Sequence, residues 1–247
     1  MSNRFHGLIA MVLLVIAAPS LAEPTPVTVR VIARDAKFIG TSMGGARVTL
    51  RDVRSGKRLA EGVTQGGTGD TDRIMHASGR SPLRSSEGAA AYAASLDIAQ
   101  PTLVELTVEG PLGHPGSALR ASQQRWIMPG EGMTQGEGWT IELPGLVITP
   151  QARISGVAAK ISAKVELMCG CPITPGGLWD AADYEVKATL RQRGKVVGAA
   201  PLAFITAPGG FEGDLTLPGR GAYRLGIAAH NLKTGNSGYI ELPIKAD

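Results

Sequence analysis

The sequence has few aromatic residues, only two cysteines and no long amphipathic helical pattern. Phe, Tyr and Trp together make up 4% of its 247 residues, and none of the aromatic–basic interleaving typical of nucleic-acid binding is present. The 25 basic and 21 acidic side chains are interspersed, so no polybasic membrane patch is present either. The sequence also has no Gly-x-Ser-x-Gly elbow, and its spacing gives no Ser-His-Asp set. These absences argue against nucleic-acid binding and hydrolase chemistry.

The first 22 residues are typical of a cleaved signal peptide. Arg4 supplies the positive charge, an apolar run follows at 7–18, and Ser20-Leu21-Ala22 fits a small-x-small cleavage site. The apolar run is shorter than the roughly 20 residues that a membrane-spanning helix needs. We therefore expect a periplasmic or secreted protein with no membrane span in the mature chain. A retained N-terminal anchor is the alternative interpretation.

Turn-forming residues punctuate the mature chain at short intervals, since the sequence contains 33 Gly and 16 Pro. Between them, apolar or β-branched residues alternate with polar ones, which is the pattern of half-buried strands. The clearest runs lie at 27–32, 48–51, 103–108, 161–167, 184–190, 225–229 and 239–244. Many short strands with frequent turns predict an all-β protein. One segment, 87–96, fits a short helix or a strand equally well.

The strand rhythm breaks near residues 144–155, where Pro144, Gly145 and Pro150 flank one strand and a new series begins. The mature chain is long enough to bury two modest hydrophobic cores. We expect two tandem β-sandwich domains, at 25–149 and 150–247, after the signal peptide.

Residues 45–64 read GARVTLRDVRSGKRLAEGVT, which predicts a hairpin with its turn at Ser55-Gly56. This pattern resembles the hairpin of carboxypeptidase-regulatory and transthyretin-like sandwiches. The resemblance implies a β-sandwich of accessory character and carries over no catalytic residue.

Residues 211–238 contain a second recognisable pattern, in which Pro218-Gly219 ends one strand and Gly221-x-Tyr223 opens the next. This arrangement resembles the tyrosine corner of immunoglobulin-like sandwiches, where the ring packs inward and the hydroxyl bonds nearby backbone. Leu225 stands where antibody domains place a core cysteine. The resemblance therefore implies a sandwich without the inter-sheet disulfide.

The sharpest motif is Leu167-Met168-Cys169-Gly170-Cys171-Pro172, at the end of the predicted strand 161–167. Both cysteines of the chain lie in it, one residue apart, which indicates that they act together. In an extended segment the side chains at i and i+2 point to the same side, so the two sulfurs can converge. Gly170 lets the backbone bend between them.

Three interpretations of this motif remain open, and the first is a soft-metal site. Thiolate and thioether ligands select copper(I) over harder ions. Cys169 and Cys171 would be the thiolate ligands, Met168 an auxiliary thioether, and His76 an imidazole ligand. Other residues able to complete such a site are Met75, His114, Met128, Met133 and His230.

The second interpretation is a structural disulfide between Cys169 and Cys171, in an interaction module that binds another exported or envelope protein. The loop would have to tighten, because two extended residues span about 7 Å, the upper limit for a disulfide. The third is a redox-active pair, although the usual Cys-x-x-Cys at a helix start is absent. We predict an exported, non-enzymatic binding protein, with copper(I) as the first candidate ligand.

Overall fold

The computed structural model describes residues 22–246 as an all-β protein made of two β-sandwiches. The predicted signal peptide, residues 1–22, lies outside the described residues except for Ala22. None of the helices within 22–246 has the length and apolar character needed to cross a membrane.

Seven strands occupy each half of the described chain. In the first half they are β1 (Glu23–Ala33), β2 (Arg47–Asp52), β3 (Arg58–Val63), β4 (Tyr92–Ile98), β5 (Thr102–Gly110), β6 (Leu119–Ile127) and β7 (Trp139–Leu143). In the second they are β8 (Leu146–Ser155), β9 (Ala158–Leu167), β10 (Tyr184–Gln192), β11 (Lys195–Phe204), β12 (Gly210–Thr216), β13 (Gly221–Asn231) and β14 (Ser237–Ala246). The helical pieces within 22–246 are α1 (Thr71–Met75) and two 3₁₀ turns, Thr41–Met43 and Ala181–Asp183.

The first sandwich packs a three-stranded sheet, in the order β4-β1-β7, against a four-stranded sheet, in the order β3-β2-β5-β6. β1 lies antiparallel to β4 and parallel to β7. Its alternate residues Val27, Val29 and Val31 are buried, as the period of two in the sequence predicts. β3 contacts β4 and β6 contacts β7, so the end strands of the two sheets meet along both edges of the sandwich.

The second sandwich is one curled sheet in the order β14-β13-β10-β11-β12-β9-β8. β11 and β12 pair over only two positions, Ala203 with Glu212 and Phe204 with Phe211. The sheet folds over at this weak pairing, and its end strands β14 and β8 come into contact. The result is an immunoglobulin-like sandwich, as the sequence predicted for the second half.

The chain passes from the first sandwich to the second at Pro144 and Gly145. The predicted boundary lies between residues 149 and 150, whereas the whole of β8, from residue 146, pairs with β9. Pro150, which suggested a boundary, lies inside β8. A proline is tolerated there because β8 is the last strand of its sheet and an outer strand needs no amide on its free side.

Two local predictions for the first half find direct counterparts in the structure. The hairpin at 45–64 is confirmed as β2 and β3, with the turn residue Gly56 at φ 70°. The ambiguous segment 87–96 forms no helix, and its second part is the start of β4. Helix α1 was not predicted; the Asp70 side chain caps it by accepting the Arg73 amide at 2.7 Å.

The tyrosine corner of the second sandwich is confirmed. Tyr223 is 4% exposed in β13, and its hydroxyl donates to the Gly219 carbonyl at 2.8 Å. The bond ties the start of β13 to the preceding turn, so it fixes the angle at which the chain enters the strand.

We expect Tyr223→Phe to lower the free energy of unfolding by about 1 kcal/mol, the typical net contribution of one intramolecular hydrogen bond. Urea denaturation followed by circular dichroism measures it. Tyr239→Phe is the matched control, because Tyr239 is 54% exposed and its hydroxyl bonds a carboxylate at the surface, Glu241. The control should change stability by less than about 0.5 kcal/mol. Equal losses in both variants would refute the role given to Tyr223.

Candidate functional site

The Cys-Gly-Cys motif forms a tight chain reversal at the end of β9. The Gly170 amide donates to the Leu167 carbonyl at 2.8 Å, and the Leu167 amide donates to the Cys171 carbonyl at 3.2 Å. Gly170 has φ 78°, in the left-handed region that favours glycine. This is a short hairpin turn with glycine at its left-handed position, so the motif is not extended as the sequence suggested.

Cys169 and Cys171 are joined by a disulfide bond, and their Cα atoms lie 5.4 Å apart. The turn brings this separation into the range that a disulfide needs. Cys169 is 2% exposed and Cys171 5% exposed. The two sulfur atoms therefore belong to the protein interior.

Met43 of the first sandwich covers the turn. Its Sδ lies 2.7 Å from the position that a Cβ on Gly170 would occupy, so the thioether rests directly on this glycine. The 3₁₀ turn that carries Met43 is itself fixed, because the Gly113 amide donates to the Met43 carbonyl at 2.9 Å. The Cys-Gly-Cys turn thus packs against a well-anchored part of the other sandwich.

Two hydrogen bonds also cross between the sandwiches. The Trp179 indole donates to the Asp35 carbonyl at 2.8 Å, and Trp179 is only 9% exposed. On another side, the Ile148 amide donates to the Ser117 hydroxyl at 3.1 Å. Contacts on separate sides of an interface resist rocking better than one contact alone.

Asn236 binds the linker between the two sandwiches. Its side-chain oxygen accepts the Gly145 amide at 2.7 Å, and its side-chain amide donates to the Gly145 carbonyl at 3.0 Å. Asn236 is 2% exposed, so both bonds are shielded from water. Met168 covers Gly145 from another direction, together with Leu119.

The two sandwiches share one continuous hydrophobic cluster, which runs from Val27 in β1 to Ala246 in β14. We call the set of cross-contacts the domain junction. Its members are the Cys169–Cys171 turn on Met43, Trp179 on Asp35, Ile148 on Ser117, and Asn236 on Gly145.

Charged groups around the junction stabilise the loops beside it. The Asp180 carboxylate accepts the Ala182 amide at 3.1 Å and the Gly176 amide at 3.0 Å, and these bonds hold its pKa below the usual value. Partial burial raises the pKa of Asp35, and the nearby Glu142 carboxylate adds to this effect. Asp180 therefore orders the loop that carries Trp179.

The structure brings together two of the four residues predicted to bind metal, Cys169 and Cys171, as a disulfide. Met168 is fully buried, and its side chain is directed at Gly145. His76 lies at the end of α1 with its side chain 74% exposed, 3.9 Å from the Asp72 carboxylate. Within residues 22–246, no cluster of three or more His, Cys, Asp or Glu side chains is arranged to hold a metal ion.

The other residues considered as ligands are spread over the molecule. Met128 is 44% exposed after β6, and His230 is exposed in β13 opposite Ser237. The Met133 sulfur lies 4.0 Å from the Arg125 guanidinium. Met75 lies in α1, and His114 is in the turn after Gly113.

Met43 and Asn236 are two junction residues that the sequence did not reveal. Met43 stands more than a hundred residues before the cysteines, and no periodicity or spacing connects them. Asn236 reads as one more polar residue in a hairpin loop. Each residue has a role in the junction only because the two sandwiches pack against each other.

The chain matches no protein-family model and no curated protein. Among solved structures, it is similar to a DUF3823 family protein from Bacteroides ovatus, with 8% identity, a TM-score of 0.34, and coverage of 91% of this chain and 100% of that one. It is also similar to the chicken interferon gamma receptor alpha chain, with 13% identity, a TM-score of 0.34, and coverage of 92% and 98%. Neither likeness carries a function to this chain.

Proposed function

We propose that this protein is an exported, non-enzymatic binding module of the cell envelope. In this proposal, the two sandwiches are held in one fixed orientation so that their exposed surfaces can bind another exported or envelope molecule. The Cys169–Cys171 disulfide has a structural role, which is to keep the turn at the domain junction in shape.

The observation that carries the proposal is the burial of the disulfide-bonded turn against the first sandwich. A disulfide offers no thiolate to a metal, and the sulfur atoms of residues only 2% and 5% exposed are screened from a second protein's thiol. The small ring closed by the disulfide restricts the conformation of the turn that packs against Met43. These features fit a role in fixing domain orientation better than a role in thiol chemistry.

We expect protein purified from an oxidising compartment without reductant to contain no reactive thiol, even in denaturant. Titration with a chromogenic disulfide reagent should then detect two thiols per chain after reduction, because Cys169 and Cys171 are the only cysteines. Two reactive thiols before reduction would remove the observation on which the proposal depends.

Changing both Cys169 and Cys171 to Ala should lower the free energy of unfolding by about 1.5 kcal/mol, the loop-closure value for a three-residue ring. Equilibrium urea denaturation measures this change. Reduced wild-type protein is the control, since it lacks the bond but keeps both side chains, and it should show a similar loss. An unchanged midpoint in both samples would show that the bond contributes nothing to the fold.

Copper(I) binding by the reduced protein is a second candidate function, which the position of Met43 favours. When the disulfide is reduced, Cys169 and Cys171 supply two thiolates beside the Met43 thioether. Three soft donors on buried residues suit copper(I). In this alternative Met43 takes the part that the sequence gave to Met168.

Reduced protein should then hold one copper(I) in competition with a chromogenic chelator. Met43→Leu should weaken binding at least about tenfold, since losing a direct ligand costs no less than losing an outer-shell partner. Met168→Leu is the matched control, because Met168 faces Gly145, and it should leave the affinity unchanged. If reduced wild type and the Cys169→Ser, Cys171→Ser double variant retain equal copper, this candidate function is excluded.

A further inference from the structure

Trp126 is the one tryptophan of the chain that is open to solvent. It is 56% exposed, whereas Trp139 is 0% and Trp179 9% exposed. An exposed indole forfeits the free energy of burying its large apolar ring, and tryptophan is enriched where it meets a binding partner. Trp126 is therefore a candidate ligand-binding residue.

Trp126 lies at one corner of the outer face of the sheet β3-β2-β5-β6. Across β5 and β6, Leu103 pairs with Trp126 and Glu105 pairs with Gln124. The intervening residue Val104 is buried, so these four side chains share the outward face. The Gln124 amide donates to the Glu105 carboxylate at 3.4 Å, which places both on the same surface.

A small cavity of about 40 Å³ opens at the foot of the indole, with room for a hydroxyl group or an ordered water. Its lining residues are Asp52, Arg54, Gln100, Pro101, Thr102, Leu103 and Trp126. In this lining the Gln100 and Thr102 side chains can both donate and accept hydrogen bonds, whereas Asp52 only accepts and Arg54 only donates. The exposed Val53, whose amide bonds the Leu103 carbonyl, widens the apolar part of the surface.

The charges that line the small cavity balance, since it holds one carboxylate, Asp52, and one guanidinium, Arg54. On the neighbouring outer face, Glu105 pairs across the strands with Arg51. A surface with no net charge favours an uncharged ligand, because an ion of either sign would meet as much repulsion as attraction. A flat indole can stack on the apolar C–H face of a sugar ring, and the neighbouring amide, hydroxyl and carboxylate groups can bond the hydroxyls of that ring.

We propose that this surface, the Trp126 site, binds a neutral polysaccharide. One sugar ring stacks its C–H face on the Trp126 indole, and its hydroxyls bond Gln124, Glu105 and the polar lining of the small cavity. The site deepens the proposed binding function by naming the ligand class. All residues of the Trp126 site lie in the first sandwich. A negative result in the polysaccharide test would therefore be distinct from a negative result in the tests of the structural disulfide.

Oxidised mature protein, residues 23–247, tests the site by gel retardation against soluble β-glucan, xylan, α-glucan and mannan, with alginate as the acidic comparison. Acrylamide quenching provides a second readout, because Trp126 is the exposed tryptophan. We expect at least one neutral polysaccharide to retard the protein and to protect Trp126 from acrylamide.

Trp126→Ala should weaken this binding at least tenfold. Tyr239→Ala is the matched control, since Tyr239 is 54% exposed on the second sandwich, and it should bind as wild type does. The proposal is overturned if no neutral polysaccharide binds, if alginate alone binds, or if Trp126→Ala binds as tightly as wild type. A loss shared equally by Tyr239→Ala also overturns it, because the binding would then not depend on this surface.

Discussion

The seating of the Cys169–Cys171 turn beneath Met43 is the contact on which the arrangement of the two sandwiches depends. A hairpin end is usually a mobile tip, but here the disulfide and the left-handed Gly170 give it one shape. In this shape, the Met43 thioether packs directly on Gly170. Because the turn has one conformation, the hydrogen bonds of the domain junction can all form at the same relative orientation of the two sandwiches.

Rigidity at the junction connects the fold to the proposed function. Two sandwiches on a free linker would present their outer faces in changing directions, and ordering them would cost binding free energy. Here the linker residue Gly145 is bound through both its amide and its carbonyl by a buried asparagine. In the proposed function, the exposed surfaces of the two halves therefore keep a constant geometry relative to each other.

Local sequence patterns were sufficient to predict many of the strands, the 45–64 hairpin and the tyrosine corner, because each depends on neighbours a few residues apart, but they did not predict β6 or β11. The same patterns left the cysteines open between metal, disulfide and redox interpretations. Choosing among them needed the turn at Gly170 and the burial of both sulfurs, which arise from tertiary packing. Met43 and Asn236 escaped notice for the same reason, since each acquires its role only from the facing sandwich.

The central claim is that the junction joins the two sandwiches into one cooperative unit, and differential scanning calorimetry of the oxidised mature chain tests it most directly. The account predicts a single transition whose calorimetric and van't Hoff enthalpies agree. Two resolved transitions, or a van't Hoff enthalpy near half the calorimetric one, would contradict it, because either result would mean that the sandwiches unfold separately and that the junction does not couple them.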